Sequence, residues 1–202
     1  MVILDRSFFT RPVIQVARDL LGQNLVRMIK GQRTGGVILE TEAYDGEEDQ
    51  ACHARRGKTE RNSVMYAEGG CAYVYFTYGM HWMLNCVTGD SGYPAAVLIR
   101  ALLPTEGLNI IRTRRNGIPQ PMWCNGPAKL TKALAIDGTC NGADLCSMES
   151  GLFIESAPPL PDRWISATPR IGIPYAPEPW RSKPWRFHAA IDQSEIITRL
   201  NE

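Results

Sequence analysis

Two strand-like runs, Cys71–Thr77 and His81–Thr88, are separated only by Tyr78-Gly79-Met80, and so short a connection leaves them one arrangement, a β-hairpin. Further strands are predicted at Asn24–Ile29 and Val37–Tyr44, antiparallel across a turn in KGQRTGG, and at Ala95–Ala101, Gly151–Glu155 and Trp185–Ile191. Alternation in the second of these puts Ile38, Glu40, Glu42 and Tyr44 on one side, and Val37, Leu39, Thr41 and Ala43 on the other, more apolar side. Thr10 as a cap and Pro12 in the first turn open a helix. Its Val13, Val16, Ala17, Leu20 and Leu21 share a face, and Gly22 closes it. Two more helices are predicted near Pro104–Asn116 and Pro127–Ile136. Polar sequence fills the interval from Asp45 to about Val64. Eight of the fourteen prolines lie between Pro158 and Pro184, yet Trp164, Trp180 and Trp185 need cover, so this segment is read as irregular chain stitched to the core. The expected fold is α+β, a single mixed domain over residues 1–202.

Composition narrows the class. With 202 residues, 44% hydrophobic and 21% charged, the chain suits one globular domain with a real core and excludes global disorder. No apolar run approaches the roughly 18–20 residues of a membrane helix. The start, MVILDRSFFTRP, has no long apolar stretch and is not read as a secretory signal. Six cysteines form no CxxC pair and three histidines no HxxxH pair, so neither a metal nor a cofactor is expected, and reduced thiols in the cytoplasm are. A net charge of +1 conceals segregation. Six acids lie between Glu40 and Asp49, followed by Arg55, Arg56, Lys58 and Arg61; further knots are Arg112, Arg114 and Arg115, then Arg163, Arg170, Arg181, Lys183 and Arg186. Each cluster alone suits a solvated face, and the three together suit a polyanion.

Three segments could carry chemistry. In Glu40-Thr41-Glu42-Ala43-Tyr44, two carboxylates and an aromatic share one strand face, which suits either an edge strand in water or a general acid or base on a pocket wall. His53 and Arg100 are placed to join them. In Tyr73-Val74-Tyr75-Phe76-Thr77-Tyr78, the first two tyrosines share a face, and core packing is the commoner reason for such a stripe. Tyr78 stands at the hairpin turn, where an aromatic flanked by basic segments suits insertion between bases. In Cys124-Asn125-Gly126-Pro127-Ala128-Lys129, a helix start and a lysine suit a phosphate, or are an ordinary capped helix.

The strings ETEAYDGEEDQACHARRGKTERN, YVYFTYGMHWMLN, VLIRALLPTEG and CNGPAKLTKALAI, in that order, resemble the 3-methyladenine (alkyladenine) DNA glycosylase family of mammals and many bacteria. The resemblance runs from FFTRPVIQVARDLLGQNLV to SKPWRFH and is to a compact bacterial-type member. It implies a curved antiparallel sheet with a protruding hairpin that enters DNA. It implies that Glu42 activates the water attacking the sugar and that Arg100 helps hold both. Tyr44, His53 and Tyr75 would sandwich and contact the extruded base, Ala51 would lend a backbone contact, and Asn85 would disfavour ordinary guanine. Tyr78 would wedge into the vacated stack, with Thr59, Tyr73, Met80 and Lys129 also at DNA-binding positions.

Chemistry fits that implication. Extrusion from duplex is least costly for a damaged base, and a cationic alkylated purine leaves readily and stacks on aromatic faces. No lysine lies in the Glu42 segment to form a Schiff base, which predicts a monofunctional hydrolase without strand cleavage. The expected partner is double-stranded DNA containing damaged purines; no membrane is involved, the protein is a monomer, and it works in the cytoplasm beside the nucleoid. Two rivals are a non-catalytic sensor of damaged bases and a carbohydrate-type glycoside hydrolase using Glu40 and Glu42. Carboxylates at i and i+2 point the same way along a strand instead of flanking a bond, which disfavours the latter.

Overall fold

The computed structural model describes residues 2–190. Its elements run α1 (Arg6–Phe9), α2 (Val13–Asp19), β1 (Asn24–Ile29), β2 (Gln32–Asp45), β3 (Ala72–Thr77), β4 (His81–Thr88), β5 (Ala95–Glu106), α3 (Leu108–Arg114), α4 (Pro127–Leu134), β6 (Leu152–Glu155), β7 (Ile165–Thr168) and β8 (Arg186–Ala189). Among the described residues the strands form one eight-stranded antiparallel sheet, ordered β3-β4-β5-β2-β1-β6. One edge of β2 pairs with β5, and the other with β1 over its first half and with β8 at Glu40–Glu42. β7 pairs with β8. This is a mixed α+β domain, as expected, and no helix among the described residues is long and apolar enough to cross a membrane.

Side-chain alternation sorts the sheet into two faces. Val74, Leu84, Cys86, Val97 and Ile99 point to the helical side, where they join Val16, Leu20, Leu130 and Leu134 in the main core. The opposite face carries Tyr44, Tyr73, Tyr75 and Ala96, packed with Cys52, Ala54 and Met65 in a second, smaller cluster. The polar interval 45–64 is thus a cover laid over this second face, made of turns that end in a 3₁₀ turn at Ser63–Tyr66.

The expected alternation of β2 fails over Val37–Leu39. Ile38 belongs to the main core with Ala43, and Thr41 donates to the carbonyl of Ala17 in α2 at 2.6 Å. Val37 and Leu39 pack apart, with Leu103. The reason is a pair of compensating bulges. Ile38 opposes Leu102, Glu40 opposes Ala101 and Thr41 opposes Ile99, so Leu39 is an extra residue on β2 and Arg100 on β5. Several boundaries also move. Pro12, not Thr10, occupies the cap position of α2, because Thr10 ends the preceding short helix. The turn between β1 and β2 is only Lys30-Gly31, both at positive φ, and Gln32–Gly36 is strand. β5 continues through Pro104, which faces Gly36 at a register shift where a missing N–H does no harm, so α3 starts only at Leu108. The last predicted strand is β8, and Ile191 lies outside the described residues.

Candidate active site

The second face of the sheet forms the floor of a cavity of about 550 Å³. Tyr44, Tyr73, Tyr75, Asn85, Leu98 and Arg100 come from the strands, Ala51, His53, Arg55 and Arg61 from the cover, and Ile171, Gly172, Ile173 and Tyr175 from the proline-rich segment. Tyr78 and Pro127 stand at the same cavity. Residues far apart in sequence are brought together because β2, β3, β4 and β5 are neighbours in the sheet.

Glu42 lies behind this wall with no exposed surface. One carboxylate oxygen, Oε2, accepts from the Tyr44 hydroxyl at 2.9 Å and from Arg100 Nη1 at 3.1 Å; Oε1 accepts from the Ile171 N–H at 2.6 Å. Burial raises the carboxyl above the ordinary glutamate range, against the opposing pull of Arg100, the Ile171 N–H and the Tyr44 hydroxyl. The bulge at Arg100 is what aims its guanidinium at this face: Nε also donates to Glu40 Oε1 at 2.9 Å. Arg186 of β8 reaches the same Glu40 oxygen at 3.0 Å. Glu40 and Glu42 therefore share one guanidinium from one side, which is incompatible with a pair flanking a glycosidic bond.

His53 is open to the cavity, with Nδ1 3.0 Å from the Tyr73 hydroxyl and its ring edge-on to Tyr75 at 4.5 Å. The surrounding walls, then Arg61 and Arg55, lower its pKa to about 4, so the imidazole is neutral at physiological pH. Tyr73 is buried beneath the cavity and reaches it through His53. Asn85 is buried and donates from Nδ2 to the Tyr73 carbonyl at 3.0 Å. Ala51 presents its carbonyl to the Tyr175 hydroxyl at 3.2 Å.

The remaining predicted residues lie around the mouth or away from it. Tyr78 and Met80 are exposed at the hairpin tip, where Tyr78 has φ +53°. Lys129 is in the first turn of α4, two residues after Pro127, with its ammonium 2.8 Å from Asn125 Oδ1. Thr59 does not line the cavity; it exchanges hydrogen bonds with Asn62 and closes the 59–62 turn. The third basic knot is largely consumed internally: Arg170 is buried on Asp49, and Arg186 is spent on Glu40. What the sequence concealed is the contribution of residues 169–175, whose Ile171 N–H and Tyr175 ring have no local motif to announce them. Among the described residues, no three metal-ligating side chains converge.

Fold and site define a mixed α+β protein with an aromatic cavity backed by an arginine-held carboxylate. The sequence profile of the family described as methylpurine-DNA glycosylase matches residues 7–193, and the chain belongs to that family. It is 48% identical to a protein of Methanocella arvoryzae (93% of this chain, 92% of the relative) and 48% identical to one of Carboxydothermus hydrogenoformans (93% and 95%). A Chlamydia felis protein is 44% identical over 96% of this chain and 100% of its own length. All three are named as candidate 3-methyladenine DNA glycosylases.

Proposed function

We propose that the protein is a monofunctional DNA glycosylase that flips alkylated or deaminated purines out of duplex DNA and hydrolyses the N-glycosidic bond. The carrying observation is Glu42: a fully buried carboxylate, costly unless paired, held by Arg100 at the back of an aromatic cavity. A carboxylate has room for about four hydrogen bonds, and the three protein donors leave Oε1 able to accept a second, from water. Glu42 takes a proton from that water as it attacks C1′ and offsets the positive charge growing on the sugar. The base leaves with the glycosidic electron pair, leaving an abasic site.

Recognition follows from the walls. Tyr44 and Tyr75 offer π-faces to the flipped base, and a neutral His53 does not repel a purine made cationic by alkylation. Asn85 and the Ala51 backbone read its edge, Tyr78 fills the stack it left, and Met80, Thr59, Tyr73 and Lys129 support the duplex or the walls. The domain acts as a monomer, with the chromosome. The test is Glu42→Gln, which keeps the shape of the site and removes the base. Release of free 3-methyladenine from alkylated duplex should fall by at least about a thousandfold while lesion-duplex binding survives. Turnover near wild type, or cleavage of the DNA strand by the intact enzyme, defeats the reading.

A further inference from the structure

One ion pair beneath the cavity is buried on both sides: Arg170 and Asp49 have no exposed side-chain surface. The contact is bidentate, Nη1 to Oδ2 at 2.5 Å and Nη2 to Oδ1 at 2.9 Å. Nη1 also donates to the Ala43 carbonyl at 2.8 Å, and Nη2 to the Trp180 carbonyl at 3.2 Å. The guanidinium stacks over the ring of Tyr44 at 4.8 Å and over Trp185 at 5.0 Å. Asp49, for its part, accepts from the N–H groups of Asp45 and Ala51 at 3.2 and 3.0 Å. One side chain thus joins the end of β2, the cover loop and the proline-rich segment. The next residue along the chain is Ile171, whose N–H sits on Glu42.

Stability alone is a poor reason for such a pair, since well-packed apolar residues serve a core at least as well. Geometry is a better one: a planar guanidinium with a bidentate partner fixes direction as well as distance. We propose that Arg170, locked by Asp49, is a positioning residue for catalysis, holding the Ile171 N–H on Glu42 Oε1 and backing Tyr44 so that its hydroxyl stays on Oε2. The proposal rests on Glu42 being the base. With the pair intact, both oxygens are pinned by groups that cannot rotate away, and the carboxylate keeps one orientation toward the attacking water. The other groups around Glu42 are Arg100 from β5, Glu40 and Tyr44 from its own strand, Tyr75 from β3, and Arg186 from β8 acting through Glu40. Arg170 itself also acts on Glu42 by its charge, so the Ile171 N–H is tested separately in Ile171→Pro, where that charge is kept and only the donor is lost. That loss removes a hydrogen bond that favours the ionised carboxylate, and the acid limb of the rate profile must then move to higher pH.

The experiment compares Arg170→Lys, Ile171→Pro and Ile171→Ala in the full chain, with Glu42→Gln as reference, by single-turnover excision from a lesion-containing duplex across pH. Lysine keeps the charge of Arg170 and loses the fork. Proline at 171 deletes the donor, while alanine keeps it; the Ile171 side chain is exposed, so neither change opens the core. Melting temperature and duplex affinity are measured on each protein. Expected are a rate at least about tenfold lower in Ile171→Pro than in Ile171→Ala, and an acid limb about half a unit or more higher in Ile171→Pro and Arg170→Lys, with lesion-duplex affinity kept within about threefold. An unmoved acid limb overturns the proposal, even if the rates fall in step with stability. Should Arg170→Lys not fold, the proline–alanine comparison decides alone. Activity in Glu42→Gln would remove the underlying reading; an inactive Glu42→Gln beside equal rates in the two Ile171 variants removes only this one.

Discussion

Desolvation by the walls moves Glu42 and His53 in opposite directions, and pH separates their roles. Glu42 is raised, because desolvation outweighs Arg100, the Ile171 N–H and the Tyr44 hydroxyl; as a base it works only when ionised. Excision should therefore fall as pH drops through a value above the ordinary glutamate range. His53 is lowered to about 4 and does not titrate between pH 5 and 8, so His53→Gln should leave the position of that limb unchanged while altering affinity. Its effect on folding has a definite sign. The unfolded chain protonates near 6.5 and the folded one near 4, so the unfolded state binds more protons in between and stability declines as pH falls through that window. Thermal melts of wild type and His53→Gln across pH 4–7 check this, the variant showing the flatter dependence. The sequence displayed Glu42, Tyr44, His53 and Arg100 through spacing and resemblance. It did not display Asp49 and Arg170 as partners, because 121 positions separate them and each sits in a segment of its own charge type.

At the scale of elements, the β3–β4 hairpin was legible to within one residue, β3 starting at Ala72 and not Cys71, since strand runs and a Gly-containing turn suffice to define it. Its tip carries information that pattern alone does not. Tyr78 and Gly79 both have positive φ, and Met80 N–H returns to the Thr77 carbonyl at 3.2 Å. A tyrosine in that region is strained where asparagine or glycine would not be, and the residue is 81% exposed, so little packing compensates. On the proposed reading, the ring acts on the duplex instead. Tyr78→Asn should leave the melting temperature unchanged or slightly higher, yet slow excision from paired lesions by roughly tenfold or more, given about 1–3 kcal/mol per base-sized stack. Mispaired lesions, cheaper to extrude, should be partly spared; an equal loss on paired and mispaired lesions would mean that the ring does not fill the vacated stack. The bulges at Leu39 and Arg100 were not legible, because an extra residue changes facing without changing composition. Close approach was hidden likewise. A Cβ on Gly36 would lie 2.1 Å from the Leu103 carbonyl oxygen, so Gly36→Ala should cost about 3 kcal/mol or more, or prevent folding, by prying β2 from β5. Denaturant melts would show it.

For the whole molecule, net charge says little and its placement much. The chain carries +1 overall, and a polyanion of uniform charge would gain nothing from that number. The fold removes several cations from consideration: Arg170 and Arg186 are spent internally, Arg33 holds Glu106 and Glu155, and Arg181 pairs with Glu178. Others stand at one opening. Arg55 and Arg61 line the cavity beside Tyr175 and Tyr75, and Lys129 lies two residues after Pro127, which also lines it. A duplex laid across that opening would meet cations from two separate segments while Glu40 and Glu42 stay behind the wall. Affinity for plain and lesion-containing duplex should then fall steeply with salt. Each phosphate contact contributes about 0.9 to the slope of log K against log salt, so Lys129→Gln and Arg61→Gln should each flatten it by about that amount on both duplexes. Arg181→Gln, whose charge already has a carboxylate, should change it far less. A slope that is flat in wild type, or one that Arg181→Gln lowers as much as Lys129→Gln, would mean that DNA lies across a different face from the one that opens onto Glu42.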